Sequence, residues 1–197
     1  MSEAPIRIAL IIGSVRDGRF GPVVANWFAE QATAHGGFEV DVIDLAEANL
    51  PMVLPAFGGT ASPETIAAVG AVSPRLEAAD AFVVVTPEYN HSYPASLKNV
   101  IDWHNAQWHA KPVAFVAYGG LSGGLRAVEH LRQVFAELHA TTIRDTVSFH
   151  GAWSQFDEDG SPKDPEGVNA AAKMLLDQLG WWAQALREAR TARPYKV

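Results

Sequence analysis

Residues 81–103, AFVVVTPEYNHSYPASLKNVIDW, decide how the chain folds. Phe82-Val83-Val84-Val85-Thr86 is an apolar run rich in β-branched residues, and Pro87 ends it. Such a run describes a strand buried on both faces, as in a parallel sheet. From Pro94 onward the apolar spacing changes to Leu97, Val100 and Ile101, which predicts a helix over residues 94–109. Between strand and helix lies Pro87-Glu88-Tyr89-Asn90-His91-Ser92-Tyr93-Pro94. Prolines fix both ends of this loop, which offers a carboxylate, an amide, a hydroxyl and two phenols. Loops at the C-terminal ends of parallel strands are where open α/β sheets bind ligands.

Upstream, residues 6–12 (IRIALII) form another continuous apolar strand that stops at Gly13. The loop Gly13-Ser14-Val15-Arg16-Asp17-Gly18-Arg19-Phe20-Gly21-Pro22 then leads into a helix with Val23, Val24, Trp27, Phe28 and Ala32 on its apolar stripe. His35-Gly36-Gly37 is a helix stop, and residues 38–45 alternate as an edge strand with one wet face would. Residues 50–62 hold Pro51, Pro55, Gly58 and Gly59 and read as a long loop. Ser62-Pro63-Glu64 opens a helical region that Gly70 and Ser73-Pro74 are expected to interrupt. Downstream come a strand over residues 113–118, the glycine loop Gly119-Gly120-Leu121-Ser122-Gly123-Gly124, and a helix burying Val128, Leu131, Phe135 and Leu138. A fifth strand over residues 142–149 is weakened by Arg144 and Asp145. The last helix runs from residue 165 to about 190 with Val168, Ala172, Leu175, Leu179, Trp182 and Leu186 on one face.

Five strands alternating with helices call for a parallel sheet with right-handed crossovers covering both faces. The compact solution is the flavodoxin-like order 2-1-3-4-5, whose switch point lies between strands 1 and 3. Residues 1–197 read as a single domain of this kind.

Composition excludes several classes of function. The net charge is -7 and no Lys/Arg cluster offsets it, which disfavours nucleic acid as a partner. There are no cysteines, so thiol catalysis, disulfides and Cys-ligated metal are excluded. The N-terminal apolar run is too short for a signal core or a membrane span, so the expected setting is cytoplasmic.

Three loops then meet at one edge. The first offers a helix N-terminus, the Ser14 hydroxyl and the Arg16 and Arg19 guanidiniums, a phosphate site in outline. It fits neither GxGxxG nor GxxxxGK[ST]. The second brings the flat faces of Tyr89 and Tyr93 and the amide of Asn90. The third lets backbone approach closely, because its glycines carry no side chains. A flat heteroaromatic ring with a phosphate on a flexible tail satisfies all three, and FMN has that shape.

Gly13-Ser14-x-Arg16, the motif from Pro87 through Asn90, Ser92, Pro94, Leu97-Lys98-Asn99 and Ile101-Asp102-Trp103, and Lys111-Pro112 with the later glycines resemble the NADPH-dependent FMN reductase family. The resemblance implies a flavodoxin-like fold and bound FMN reduced by NADPH or NADH. Electrons would pass on to quinones, azo dyes, metal oxyanions or free flavin. It places the phosphate on Ser14 and Arg16, the ring against Pro87, Glu88, Tyr89 and Asn90, and the pyrimidine side near Gly119, Gly120, Ser122 and Gly123. Many relatives carry Ser and Asn where this chain has Arg19 and Gly21. The candidate set around Arg19, Phe20 and Gly21 therefore departs from the family pattern, with a second guanidinium in place of hydroxyl and amide. The alternative is a flavodoxin-type electron carrier that binds FMN without NAD(P)H activity of its own.

Of the remaining features, His104 and His109 fall on mismatched helix faces and suggest no metal site. Ser92 beside His91 makes no nucleophile elbow. Trp103 and Trp108, five apart, cannot share the Leu97 stripe, so at least one is expected to project outward and cover a partner subunit in a homodimer or homotetramer.

Overall fold

The computed structural model describes residues 4–196. Five parallel strands, β1 (Ile6–Ile12), β2 (Phe38–Asp44), β3 (Ala81–Pro87), β4 (Pro112–Gly119) and β5 (Thr141–His150), form one sheet in the order β2-β1-β3-β4-β5. This is the flavodoxin-like order, with the switch point between β1 and β3. Every residue of β3 is buried, as the unbroken apolar run requires. Edge strand β2 keeps only Ile43 fully covered.

The period of two along each strand divides the core between two faces. Ile6, Ile8, Leu10 and Ile12 of β1 and Val83 and Val85 of β3 meet α1 (Gly21–His35) and α6 (Pro165–Ala192). Ala9, Ile11, Phe82 and Val84 point the other way. There they meet α3 (Pro63–Ala78), α4 (Ala95–Trp103) and α5 (Leu125–Glu137). No helix among the described residues is long and apolar enough to cross a membrane.

Four expectations need correction. A short helix, α2 (Leu45–Ala48), follows β2, with the Asp44 carboxylate capping the Ala46 N–H; four residues are too few to carry a period. Helix α3 runs unbroken through Gly70 and Ser73-Pro74. Proline removes only one i→i−4 bond, and burial of Val72 and Leu76 on either side of it holds the helix together. The helix after Pro94 stops at Trp103, and a separate 3-10 turn covers Ala106–Trp108.

That break also overturns the outward placement of the indoles. Trp108 is fully buried, packed on Phe82 at 4.7 Å and Phe135 at 5.4 Å, with Nε1 donating to the His104 carbonyl at 2.9 Å. Trp103 lies under the long loop, its Nε1 donating to the Pro51 carbonyl at 2.7 Å. Trp108 thus reaches no outer surface, and Trp103 is half-buried. In β5, Arg144 and Asp145 lie where the ladder slips, since the register passes from Val113↔Thr142 to Phe115↔Thr146. A bulge keeps these charged residues in a strand they would otherwise break.

His104 closes α4 in a buried position, its Nδ1 2.7 Å from the Val100 carbonyl and Nε2 2.9 Å from Ser73 Oγ. Both contacts suit the neutral ring, and burial lowers its pKa from 6.5 against the smaller pull of the Val100 carbonyl. The unfolded chain therefore takes up a proton that the native ring refuses. Stability is expected to be complete above about pH 6.5 and to fall as pH drops below it. The His104 share of that slope is at most about 1.4 kcal/mol per pH unit. Urea unfolding at pH 5–8 checks this, and His104→Gln should flatten the slope; an unchanged slope would refute it.

Candidate functional site

The loops after β1, β3 and β4 meet at the C-terminal edge of the sheet. Gly13 extends the β1–β3 pairing by donating to the Val85 carbonyl at 2.9 Å, and its own carbonyl accepts from Ser96 Oγ at 2.5 Å. A Cβ at Gly13 would lie 2.7 Å from Leu97 Cγ, so only glycine lets α4 pack this close. Ser14 is buried, and its Oγ lies 2.8 Å from Tyr89 Oη. This hydrogen bond joins the first two loops at the switch point.

Arg16 stands exposed at the tip of the first loop, beyond which Arg19 N–H closes a turn onto the Arg16 carbonyl. Arg19 turns away from the rim. It grips Asp44 with both terminal nitrogens and donates from Nη1 to the Ser14 carbonyl at 3.0 Å. Phe20 directs its ring inward, edge-on to Phe156 at 5.3 Å and Tyr118 at 6.0 Å. Gly21 begins α1, which has no side chain capping its N-terminus. Pro22 has no N–H there, and the Val23 and Val24 N–H groups turn back onto the Phe20 carbonyl at 3.1 and 3.5 Å, so the helix dipole is what this end offers an anion.

In the second loop, Pro87 ends β3 opposite Tyr118. Tyr89 and Ser92 pair across a two-residue turn, with N–H···O contacts of 2.8 and 3.1 Å. Both central residues, Asn90 (φ 50°) and His91 (φ 74°), adopt the left-handed region that such a turn requires. Ser92 Oγ meets His130 Nδ1 at 2.9 Å rather than its neighbour His91.

Glu88 ties the second loop to the third. Its carboxylate accepts from Ser122 Oγ at 2.5 Å, the Arg126 N–H at 3.2 Å and Arg126 Nη1 at 3.0 Å. Burial alone would raise its pKa, but the Ser122 hydroxyl and Arg126 together hold it below the ordinary carboxylate range. The Glu88 carboxylate is thus a strut between loops. Gly119 ends β4, and Gly120 accepts from the Gly151 N–H at 3.0 Å. Gly123 (φ 59°) and Gly124 (φ 88°) carry the chain into α5. Exposed Leu121 lies in this loop, and exposed Trp153 stands beside Gly120.

The family model for NADPH-dependent FMN reductase matches residues 6–154, which span all three loops. The chain belongs to that family. Its sequence is 34% identical over 188 residues to a quinone reductase of Escherichia coli (strain K12), covering 91% of this chain and 92% of that protein. It is 38% identical over 123 residues to an NAD(P)H-dependent FMN reductase of Schizosaccharomyces pombe, 60% of each chain. Among solved structures it is similar to FerB, a flavoenzyme NAD(P)H:(acceptor) oxidoreductase from Paracoccus denitrificans. The TM-score is 0.67 at 23% identity, over 93% of this chain and 98% of that one, a likeness of fold.

The residues present suit the cofactor of the FMN reductase family. Tyr118 Oη is buried beside Ser14 and Gly21 without a hydrogen-bond partner of good geometry. Burial pushes its phenol well above the ordinary value, so it remains a neutral donor. A hydroxyl left unpaired at the uncapped start of α1 is what a phosphate-binding loop would leave before its anion arrives. By contrast, a cleft of about 360 Å³ at the other end of the sheet is lined by Arg7, Glu39, Asp41 and Arg75, whose charges already pair with one another.

Three contributors escape a reading of the sequence. Tyr118 hides in an ordinary apolar strand. Asp44 is one acid among several on an edge strand. Arg126 does leave a signal: a cation in the first turn of α5 opposes the helix dipole and calls for a nearby carboxylate, which is Glu88.

Proposed function

We propose that this protein is an FMN-dependent oxidoreductase using NADPH or NADH to reduce small-molecule acceptors of the quinone, azo, free-flavin or metal-oxyanion classes. The observation carrying this reading is the Ser14–Tyr89 hydrogen bond at the switch point, which brings phosphate loop and ring loop to one place. FMN, when bound, would supply the redox chemistry between the nicotinamide and the acceptor. The protein's part is binding and orientation.

The Ser14 and Tyr118 hydroxyls would hold the phosphate at the positive end of the α1 dipole, with Arg16 closing over it. Pro87, Tyr89 and Asn90 would line the isoalloxazine. The Gly119, Gly120 and Gly123 backbone would meet its pyrimidine edge, and Ser122 and Glu88 would fix that backbone. Hydride transfer of this kind asks no acid–base pair of the protein. A cytoplasmic setting belongs to this reading. So does a homo-oligomer, now resting on exposed Met52, Val53, Leu54 and Phe57 in place of the two indoles; light scattering over a concentration series tests it.

Titrating apo-protein with FMN and riboflavin tests the site. FMN should bind more tightly, and Arg16→Ala should weaken it about ten- to a hundred-fold, the worth of a charge-assisted bond of roughly 1.5–3 kcal/mol. Equal affinity for the two flavins would remove the phosphate site. The loaded protein should then oxidise NADPH or NADH continuously with a quinone and no partner reductase. Failure to do so with FMN bound would favour the electron carrier.

A further inference from the structure

We infer that Arg19 and Asp44 form a clamp that pre-sets the phosphate loop, and that Arg19 is a positioning residue whose guanidinium does not touch the phosphate. The inference rests on the FMN reading above and concerns how the site is built. Arg19 offers a planar fork of donors, and this fork already meets protein acceptors. Nη2 lies 2.6 Å from Asp44 Oδ2, while Nη1 serves both Asp44 Oδ1 and the Ser14 carbonyl. Both side chains are largely covered, at 19% and 15% exposure. Swinging Arg19 out to a ligand would strand Asp44 as an unpaired, mostly buried carboxylate.

Asp44 is itself held in place. It closes β2 opposite Ile12, the last residue of β1, and its Oδ1 accepts from the Ala46 N–H at 3.0 Å as the cap of α2. The clamp therefore links the end of an edge strand to the loop leaving the neighbouring strand. At Ser14 the two restraints divide the work. Arg19 fixes the carbonyl, and Tyr89 Oη fixes the hydroxyl at 2.8 Å. With the carbonyl drawn to Arg19, the loop's own acceptor is neutralised where an anion has to sit. Such pre-ordering raises affinity by removing the entropy that binding would otherwise cost.

The sign of one substitution separates the clamp from its rival. If Arg19 were a phosphate ligand held in reserve, Asp44→Asn would free it and tighten FMN binding. The clamp requires the opposite. Asp44→Asn, which still caps α2, should weaken FMN about ten-fold or more by fluorescence titration. Arg19→Gln should do the same, and the double variant should be no worse than the weaker single. Arg19→Lys, which keeps the charge but not the fork, should also weaken FMN. Riboflavin affinity should hold within about two-fold throughout, which shows that the variants remain folded. Tighter FMN binding in Asp44→Asn, additive losses in the double variant, or wild-type affinity in Arg19→Lys would each overturn the clamp alone. Loss of riboflavin binding in every variant would overturn it as well, by assigning the pair to the fold. A wild-type protein that takes up neither flavin would instead remove the FMN reading beneath it.

Discussion

Trp108→Ala is expected to lower the unfolding free energy by about 3–5 kcal/mol, the cost of deleting a large aromatic from a closed core. The indole is fully covered and sits between Phe82 of β3 and Phe135 of α5, where α3, α4 and the sheet converge. Its removal also leaves the His104 carbonyl without its 2.9 Å donor. That carbonyl ends the helix carrying Leu97 and Ile101, so the damage should spread along α4 toward Gly13, which packs on Leu97. For a chain of this length each kcal/mol moves the melting temperature by about 2–4 °C, which predicts a fall of roughly 6–20 °C. Trp108→Phe should keep most of the packing and lose mainly the hydrogen bond. If Trp108→Ala melts within a degree or two of the parent, the indole is not a core residue. Any effect on subunit association should follow the loss of fold, since this ring reaches no outer surface.

Trp103 and Trp108 are five residues apart, and on one continuous helix they would diverge. The helix ends at Trp103, however, and the 3-10 turn at Ala106–Trp108 swings the second indole back under the sheet. Helix ends are set by where backbone groups find partners. Here the His104 N–H closes on the Ile101 carbonyl and its ring on Ser73 of a distant helix. No local pattern announces a partner so far away in the chain. Pro74 misleads in the same manner. It is a helix breaker by propensity, but tertiary burial of its neighbours prevails.

What was legible is what sequence period and turn chemistry encode directly. The buried runs of β1, β3 and β4 announce the parallel sheet, and its order brings their C-terminal loops to one edge. Residues whose role lies in pairing across the fold were not legible. Arg19 reads as a phosphate ligand when only its loop is considered, because its partner Asp44 lies on another strand. Glu88 reads as a ring contact for the same reason, although its carboxylate is committed to Ser122 and Arg126. The left-handed turn at Asn90-His91 was likewise hidden, since neither residue is glycine. For that loop, Asn90→Gly separates the amide from the backbone more cleanly than alanine, which would add strain of its own.

Gly124→Ala should disable the glycine loop and much of the stability that depends on it. Gly124 is the residue before α5 and holds φ at 88°, where an alanine costs about 1–2 kcal/mol for conformation alone. Space adds a second penalty. A Cβ there would lie 2.7 Å from Ala117 Cβ and 2.9 Å from Tyr118 N, both on the interior strand β4, which cannot retreat without disturbing the sheet. Overpacking against such neighbours costs typically about 1–3 kcal/mol more. The loop is therefore expected to lift, carrying Ser122 and the start of α5 away from Glu88 and breaking the tie between second and third loops. FMN affinity should fall well over ten-fold alongside a loss of about 2–5 kcal/mol in stability. Gly18→Ala is the control: its φ is also positive at 63°, but nothing lies within 4 Å of the new methyl, so it should show the conformational cost alone. Thermal melts of both apo-proteins and flavin titration of each would decide the matter. Equal behaviour of the two variants would mean that backbone conformation, not the close approach of β4 to the loop, sets the requirement for glycine at 124.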